Sequence, residues 1–458
     1  MSGNRGSSAL RGLLLILLVS APLAATANPY ETTLDNGLKV VVKEDRRAPT
    51  AAQMVWYKAG AMDEVDGVSG IAHLLEHMMF KGTPSVGPGE FNKRVAAAGG
   101  RDNAFTSWDY TAYFQQVPKE SLEEMMKLES DRMRHLTLDP KEFAQEAKVV
   151  MEERRMRTDD EPTALLYEQL AATAFVAHPY RRPIIGWMND IENLTPADAR
   201  AWYDAWYVPN NATLVVVGDI DHQEVFKLAR KYYGAAKARP LPPRKPRVEP
   251  EQMGVRRVTV KAPAELPELY MAYKAPALRE AATDREPYAL QMLAAVLSGH
   301  DAARFSRRLV KEQGLAVSAG AHYDLTSRGP SLFFLSGSPR PGRSVAEVED
   351  ALRAEIADVV LNGVSEAELA RAKAQLVAGE IYKRDSTFAQ AMEIGMYETL
   401  GYGHRAVDRI IEGLKAVTAE EIRDAAARVF RDDALTVGTL VPQPLPNAPR
   451  RPAAAVRH

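Results

Sequence analysis

His73, Glu76 and His77 fall in one short stretch, GIAHLLEHMMFKGT at residues 70–83, whose other members up to Phe80 are mostly apolar. From Gly70 to Phe80 the spacing predicts a helix, with no proline and a glycine only at its start. Residues at i and i+4 share one helix face, so His73 and His77 can aim ring nitrogens at one metal ion. The chain has no cysteine, so any metal here is held by imidazole and carboxylate. Zinc suits such a donor set. Glu76, three residues after His73, reaches the same side and can take a proton from a water that the metal activates.

A catalytic zinc takes three protein ligands. The stretch FAQEAKVVMEERRMR at 143–157 offers Glu146 and Glu153, two helical turns apart on one face. Glu153 is the expected third ligand, and Glu146 is expected to orient a histidine or the water. Spacing alone leaves the adjacent Glu152 open as the ligand. His178, in AHPYRRP, and the remaining histidines read as structural.

These residues need a scaffold, and the sequence shows one built twice. NLTPADARAWYDAWYVPNNATLVVVGDI (193–220) is similar to AVTAEEIRDAAARVFRDDALTVGTLVP (416–442). Each opens on a threonine N-cap, continues as a helix and enters a valine-rich strand. LTLDPKEFAQEAKVVMEERRM (136–156) likewise pairs with LNGVSEAELARAKAQLVAGEIY (361–382), a cap before a long helix. The strands LKVVVKED and AAQMVWYKAG begin the first half, and RRVTVKA and ELYMAYKA begin the second. The expected fold class is α+β: two homologous domains, each a mainly antiparallel sheet covered by helices. Their boundaries are expected at 28–237 and 253–445, joined by the proline-rich linker ARPLPPRKPRVEPEQ at 238–252. The second copy of the histidine helix, YALQMLAAVLSGHDAARF (288–305), keeps the apolar pattern and loses the paired histidines. Ala372 and Gly379 stand there for Glu146 and Glu153. Packing therefore does not demand the polar residues; chemistry in the first copy does.

The 458 residues are 46% hydrophobic with a net charge of -2, which gives no electrostatic case for a nucleic-acid partner. Arg5 and Arg11, the apolar run GLLLILLVSAPLAA and the following ATA predict a secretory signal peptide, residues 1–27, cut after Ala27. The mature protein is then periplasmic or secreted, with no stable membrane insertion. Residues 446–458 read as a disordered tail. RDNAFTSWDYTAYFQQV (101–117), alternating and rich in aromatic and β-branched residues, reads as strand.

HLLEH with a downstream glutamate resembles the inverted zinc motif H-x-x-E-H. With LDNGLKVVV, AAAGGRDNAFTSWDYTAYF, EERRMR and HPYRRPIIG, the chain resembles the insulinase or pitrilysin family of zinc peptidases over nearly its whole mature length. It is similar to the small two-domain form that includes mitochondrial processing peptidase and bacterial relatives. The resemblance places the third ligand 76 positions beyond the second histidine, on Glu153. It implies one zinc per chain and hydrolysis of extended oligopeptides or unfolded segments. It also implies that 101–117 contains the edge strand on which the peptide lies, with Asn103, Ala104 and Phe105 at the contacting positions.

Family members close a clamshell from four such units, and this chain has two, half a shell. A second chain is therefore expected, a zinc-less homologous subunit first and a second copy of this chain as the alternative. The family's Arg and Tyr that reach across to the substrate fall on Val310 and Val317 in LVKEQGLAVSAG (309–320), where neither side chain can donate a hydrogen bond. Arg307, Arg308 and Tyr323 lie near enough in sequence to stand in. The alternative function is a non-enzymatic peptide-binding or zinc-binding subunit of the same fold, which would not need Glu76 as a base.

Overall fold

The structure, a computed structural model, describes residues 28–445. The signal peptide expected at 1–27 and the tail expected at 446–458 lie outside the described residues. Strands β1 (Tyr30–Thr33), β2 (Lys39–Glu44), β3 (Thr50–Tyr57), β4 (Arg101–Thr106), β5 (Thr111–Pro118) and β6 (Ala212–Gly218) form one sheet in the order β1-β2-β6-β3-β5-β4. Strands β7 (Arg256–Pro263), β8 (Glu268–Ala275), β9 (Ala316–Tyr323), β10 (Ser331–Pro339) and β11 (Leu435–Gln443) form a second, ordered β7-β11-β8-β10-β9. Read from β2 and from β7, the two orders coincide strand for strand. Both sheets are antiparallel apart from one equivalent parallel pair, β2 with β6 and β7 with β11. The protein is α+β and built from two related halves.

The first half carries α1 (Ile71–Met78), α2 (Glu90–Ala97), α3 (Leu122–His135), α4 (Pro140–Arg154), α5 (Pro162–Ala174), α6 (Met188–Asn193), α7 (Pro196–Trp206) and α8 (His222–Tyr233). The second carries α9 (Glu286–Ser298), α10 (Val345–Asn362), α11 (Glu366–Lys383), α12 (Thr387–Leu400), α13 (Ala406–Ala416) and α14 (Ala419–Val429). The caps read from sequence are in place. Thr195 and Thr418 each close a capping box at the start of α7 and α14. Asp139 and Ser365 cap the paired helices α4 and α11.

A feature absent from the sequence reading joins the halves. Strand β3 is buried along both faces, so its sheet must be covered twice. The first half's own helices cover one face. The other face, with Met54, Trp56, Val215 and Val217, is covered by α12 of the second half through Ala391 and Ile394. A Cβ on Gly395 would sit 2.0 Å from the Trp56 indole nitrogen, so only glycine lets α12 approach this closely. In exchange, α5 of the first half lies on the second sheet, where Leu166 packs with Ala262 and Leu440. Each half thus lends one helix to the other.

One further detail differs from the sequence reading, and one adds to it. The stretch 101–117 is a hairpin of β4 and β5, not one strand; the Ser107 N–H bonds the Tyr110 carbonyl at 2.8 Å and reverses the chain. The segment 238–252 has no helix or strand, yet it is pinned rather than free. Arg239 bonds Asp204 at 2.9 Å, and Glu249 accepts the N–H groups of Val176, Ala177 and His178.

Candidate active site

Helix α1 is held hard at its first turn. Gly70 precedes it with φ +88, and a Cβ there would meet the Ile185 carbonyl at 2.5 Å. The Glu64 carboxylate accepts the N–H groups of Gly70 and Ala72 at 3.0 and 2.9 Å, satisfying donors that the helix leaves open. Asp190 of α6 accepts both the N–H and the hydroxyl of Ser69. Ile71, Leu74, Leu75 and Met78 anchor the helix in the core.

From this frame His73 and His77 meet Glu153 of α4. Glu153 Oε2 lies 3.8 Å from His73 Nε2 and 3.4 Å from His77 Nε2. One ligand atom from each of the three residues lies within 4.8 Å of the others. Zinc bonds of the usual length set tetrahedral ligand atoms about 3.3 Å apart, so the two spacings from Glu153 to the histidines are near what the ion needs. Glu146 Oε2 sits 3.2 Å from Nδ1 of His77, the ring nitrogen on the far side, which fixes the ring's orientation. Lys81 pairs with the other oxygen of Glu146. Glu152 turns outward to Arg155 at 3.1 Å with its side chain 63% exposed, so it does not join the cluster.

The electrostatics favour a cation. Burial would raise Glu153, but the hydrogen bond to His77 and the positive charges of His73, His77 and Arg157 hold its carboxyl down at about 2. Burial would lower His77, but hydrogen bonds to Glu146 and Glu153 outweigh it and raise the imidazole. Glu76 is buried beside them, and burial pushes its carboxyl up to about 7 against the hydrogen bond from Thr106. A carboxyl near neutrality is suited to accept and return a proton.

His73, Glu76 and Glu153 open into a cleft of about 470 Å³. Asn103, Ala104, Phe105 and Thr106 line it with them, on β4, which the strand order leaves at the edge of its sheet. The side chains alternate. Ala104 packs in the core that contains α1, whereas Phe105 packs edge-on against Trp56 on the opposite face.

Sequence reasoning missed three contributors. Thr106 donates to Glu76 Oε2 at 2.5 Å; its place on the alternation, two after Ala104, is a signal that could have found it. Arg154, buried next to Glu153, clamps Glu168 of α5 through two hydrogen bonds of 2.8 and 3.0 Å and the Gly186 carbonyl at 2.8 Å. Arg157, on the π-helical turn Arg155–Asp159 that follows α4, pairs with the remaining oxygen of Glu153.

The second half keeps the frame without the chemistry. Tyr57 and Tyr273 are equivalent by register, opposite the first residues of β6 and β11. Counting equally from each, His73, Glu76 and His77 fall on Ala289, Met292 and Leu293, all buried in the apolar core. Val317 lies exposed on β9. Arg308 is bound to Glu355 and Asp358, and the Tyr323 hydroxyl donates to the Pro276 carbonyl, so both are engaged within their own half.

Comparison with known proteins shows the family. The chain belongs to the insulinase family, peptidase family M16: the family's profile matches residues 39–187, and a profile described as the peptidase M16 inactive domain matches 193–376. Zinc protease PqqE of Helicobacter pylori is 34% identical over 390 residues, covering 82% of this chain and 86% of that one. The crystal structure of a protease from Helicobacter pylori superposes with a TM-score of 0.85 at 31% identity, covering 90% of this chain and 99% of the other. The periplasmic protease PqqL of Escherichia coli shares the fold, with a TM-score of 0.77 at 20% identity; the match covers 90% of this chain but 47% of PqqL. No helix among the described residues is long and apolar enough to cross a membrane.

Proposed function

We propose that the chain is a zinc-dependent endopeptidase that hydrolyses extended oligopeptides or unfolded segments, with residues 28–237 catalytic and 253–445 non-catalytic. One observation carries the reading: His73, His77 and Glu153 converge within 4.8 Å on the wall of a cleft that the edge strand β4 also lines. Zinc held there would polarise the scissile carbonyl and make water a competent nucleophile near neutral pH. The chain's own residues do the rest. The backbone edge of β4 at Asn103–Phe105 pairs with the extended peptide, which gives affinity with little demand on its sequence. Glu76 accepts the proton of the attacking water at its carboxylate and delivers it to the departing amine. Glu146 keeps the His77 ring in place, and Thr106 keeps Glu76 in place.

The basic, apolar start of the sequence supports export to the periplasm or beyond. A zinc-less homologous partner, with a homodimer as the alternative, fits a chain with the extent of half of PqqL. It also fits the engagement of Arg308 and Tyr323 within their own half. The retained Glu76 favours an enzyme over a peptide- or zinc-binding subunit.

Metal analysis of the purified protein, combined with cleavage of a quenched-fluorescent peptide library, tests the proposal. One zinc per chain, and turnover that chelator abolishes and zinc restores, are expected. Bound zinc with no turnover, for the chain alone and with homologous partners from the same source, would instead establish the binding role.

A further inference from the structure

Beside the cleft described above lies a second, of about 430 Å³, built across the two halves. The two clefts adjoin, with Trp108, Tyr167 and Ala171 in the walls of both. Tyr110 and Tyr180 of the first half, and Leu332 and Phe334 on β10 of the second, supply much of its apolar wall. The polar ends of two of its rings are already committed. The Tyr180 hydroxyl donates to Asp109 at 2.6 Å and accepts the Gly329 N–H at 2.9 Å, and the Trp108 indole N–H donates to the Arg182 carbonyl at 2.9 Å. The rings of Trp108 and Tyr180 therefore offer the cavity apolar surface. Its imidazole and carboxylate side chains are His322 near the end of β9, Asp324 just beyond that strand, and Asp109, which Tyr180 and Arg328 occupy.

The walls are fixed before any ligand arrives. Arg328 of the second half bonds Asp63 at 2.8 Å, and its backbone N–H bonds Asp109 at 3.1 Å, in the turn between β4 and β5. Phe334 packs edge-on against Tyr167, with ring centroids 6.0 Å apart. A preformed, ring-lined cavity of this size selects a large apolar group, and aromatic pairs prefer the edge-on and offset geometries such a wall offers.

We propose that this second cleft is a subsite for a bulky apolar side chain, aromatic above all, of the same peptide that lies along β4, at a position beyond the residues paired with Asn103–Phe105. The inference rests on the peptide-binding reading and gives the non-catalytic half a role in selecting substrate.

The test uses the full chain carrying Glu76→Gln, so that binding is read without turnover. A labelled Ser/Ala peptide is compared with versions in which one Phe, or one Arg, is walked along it. Phe at one distal position should tighten binding roughly tenfold or more over Ser. The added change Phe334→Ala should remove most of that gain while leaving affinity for the Ser/Ala peptide unchanged. Leu332→Ala serves the same purpose should the Phe334 variant fold poorly. Binding of the Ser/Ala peptide with no positional preference for Phe overturns the subsite alone. Preference for Arg overturns it in favour of recognition by Asp324. No binding of any peptide overturns the subsite together with the peptide-binding reading.

Discussion

The Thr106 hydroxyl donates to Glu76 Oε2 at 2.5 Å, and so ties the last residue of the edge strand to the histidine helix. The strand proposed to hold the peptide and the carboxylate proposed to move the proton are thereby set at a fixed spacing. Thr106→Val should lower turnover roughly tenfold to a hundredfold, the worth of a hydrogen bond to a charged group, and leave zinc content unchanged. Thr106→Ser, which keeps the hydroxyl, should stay near the parent rate. Equal rates for Val and the parent, in steady-state kinetics with metal analysis, would remove Thr106 from the machinery.

Arg328 reaches from the second half to Asp63 and to the turn that follows Thr106. That turn is also held by Ala61 and Met62, whose N–H groups bond Ser107 and Trp108. Arg328→Ala should shift the turn and raise KM for long peptides on the order of tenfold, with kcat less affected. Arg328→Lys should recover part of the loss. A purely structural role would instead lower the melting temperature with KM unchanged, so both are measured.

His178 lies buried against Tyr180, and its Nδ1 accepts the Tyr180 N–H at 3.3 Å. Burial, reinforced by Arg247, Arg279 and Arg182 and opposed by Glu249, holds it down at about 4 against an ordinary 6.5. Between those values the unfolded chain binds a proton that the folded chain refuses. The contribution of His178 to stability is therefore fully present above about pH 6.5 and is lost as pH falls toward 4. Melting curves from pH 7 to 4 should show the decline, and His178→Gln should flatten it. An unchanged slope in that variant would assign the decline to other groups.

The exchange of α5 and α12 predicts that neither half folds well alone. Residues 28–237 by themselves would leave Trp56, Met54 and Val215 uncovered, a broad apolar face that favours aggregation. Co-expression of both halves should restore soluble material. A soluble, cooperatively melting fragment 28–237 would contradict the mutual dependence.

Much of the site was legible because its chemistry has a short-range signature. His73 and His77 share a helix face by spacing, and Glu153 stood out against Gly379 in the second copy. The caps at Asp139, Thr195, Ser365 and Thr418 were equally readable, since a cap is a local bond. The turn at Ser107–Tyr110 was hidden because Trp108 and Tyr110 are residues that strands favour and no glycine or proline marks the reversal. The helix exchange was hidden for a different reason. Periodicity says that α12 has an apolar face, but not which sheet it covers. Thr106, Arg154 and Arg328 act through partners 30 or more residues away, or through 14 in the case of Glu168, and no local pattern announces such pairs.

The most direct test of the account is zinc content and peptide turnover of Glu76→Gln beside Glu153→Gln. Glu76→Gln removes the base and leaves His73, His77 and Glu153 in place. It should retain zinc at the parent stoichiometry and lose turnover by on the order of a hundredfold or more. Glu153→Gln should lose zinc. Near-parent turnover in the zinc-loaded Glu76→Gln protein, or undiminished zinc in Glu153→Gln, would contradict the roles assigned to these two carboxylates.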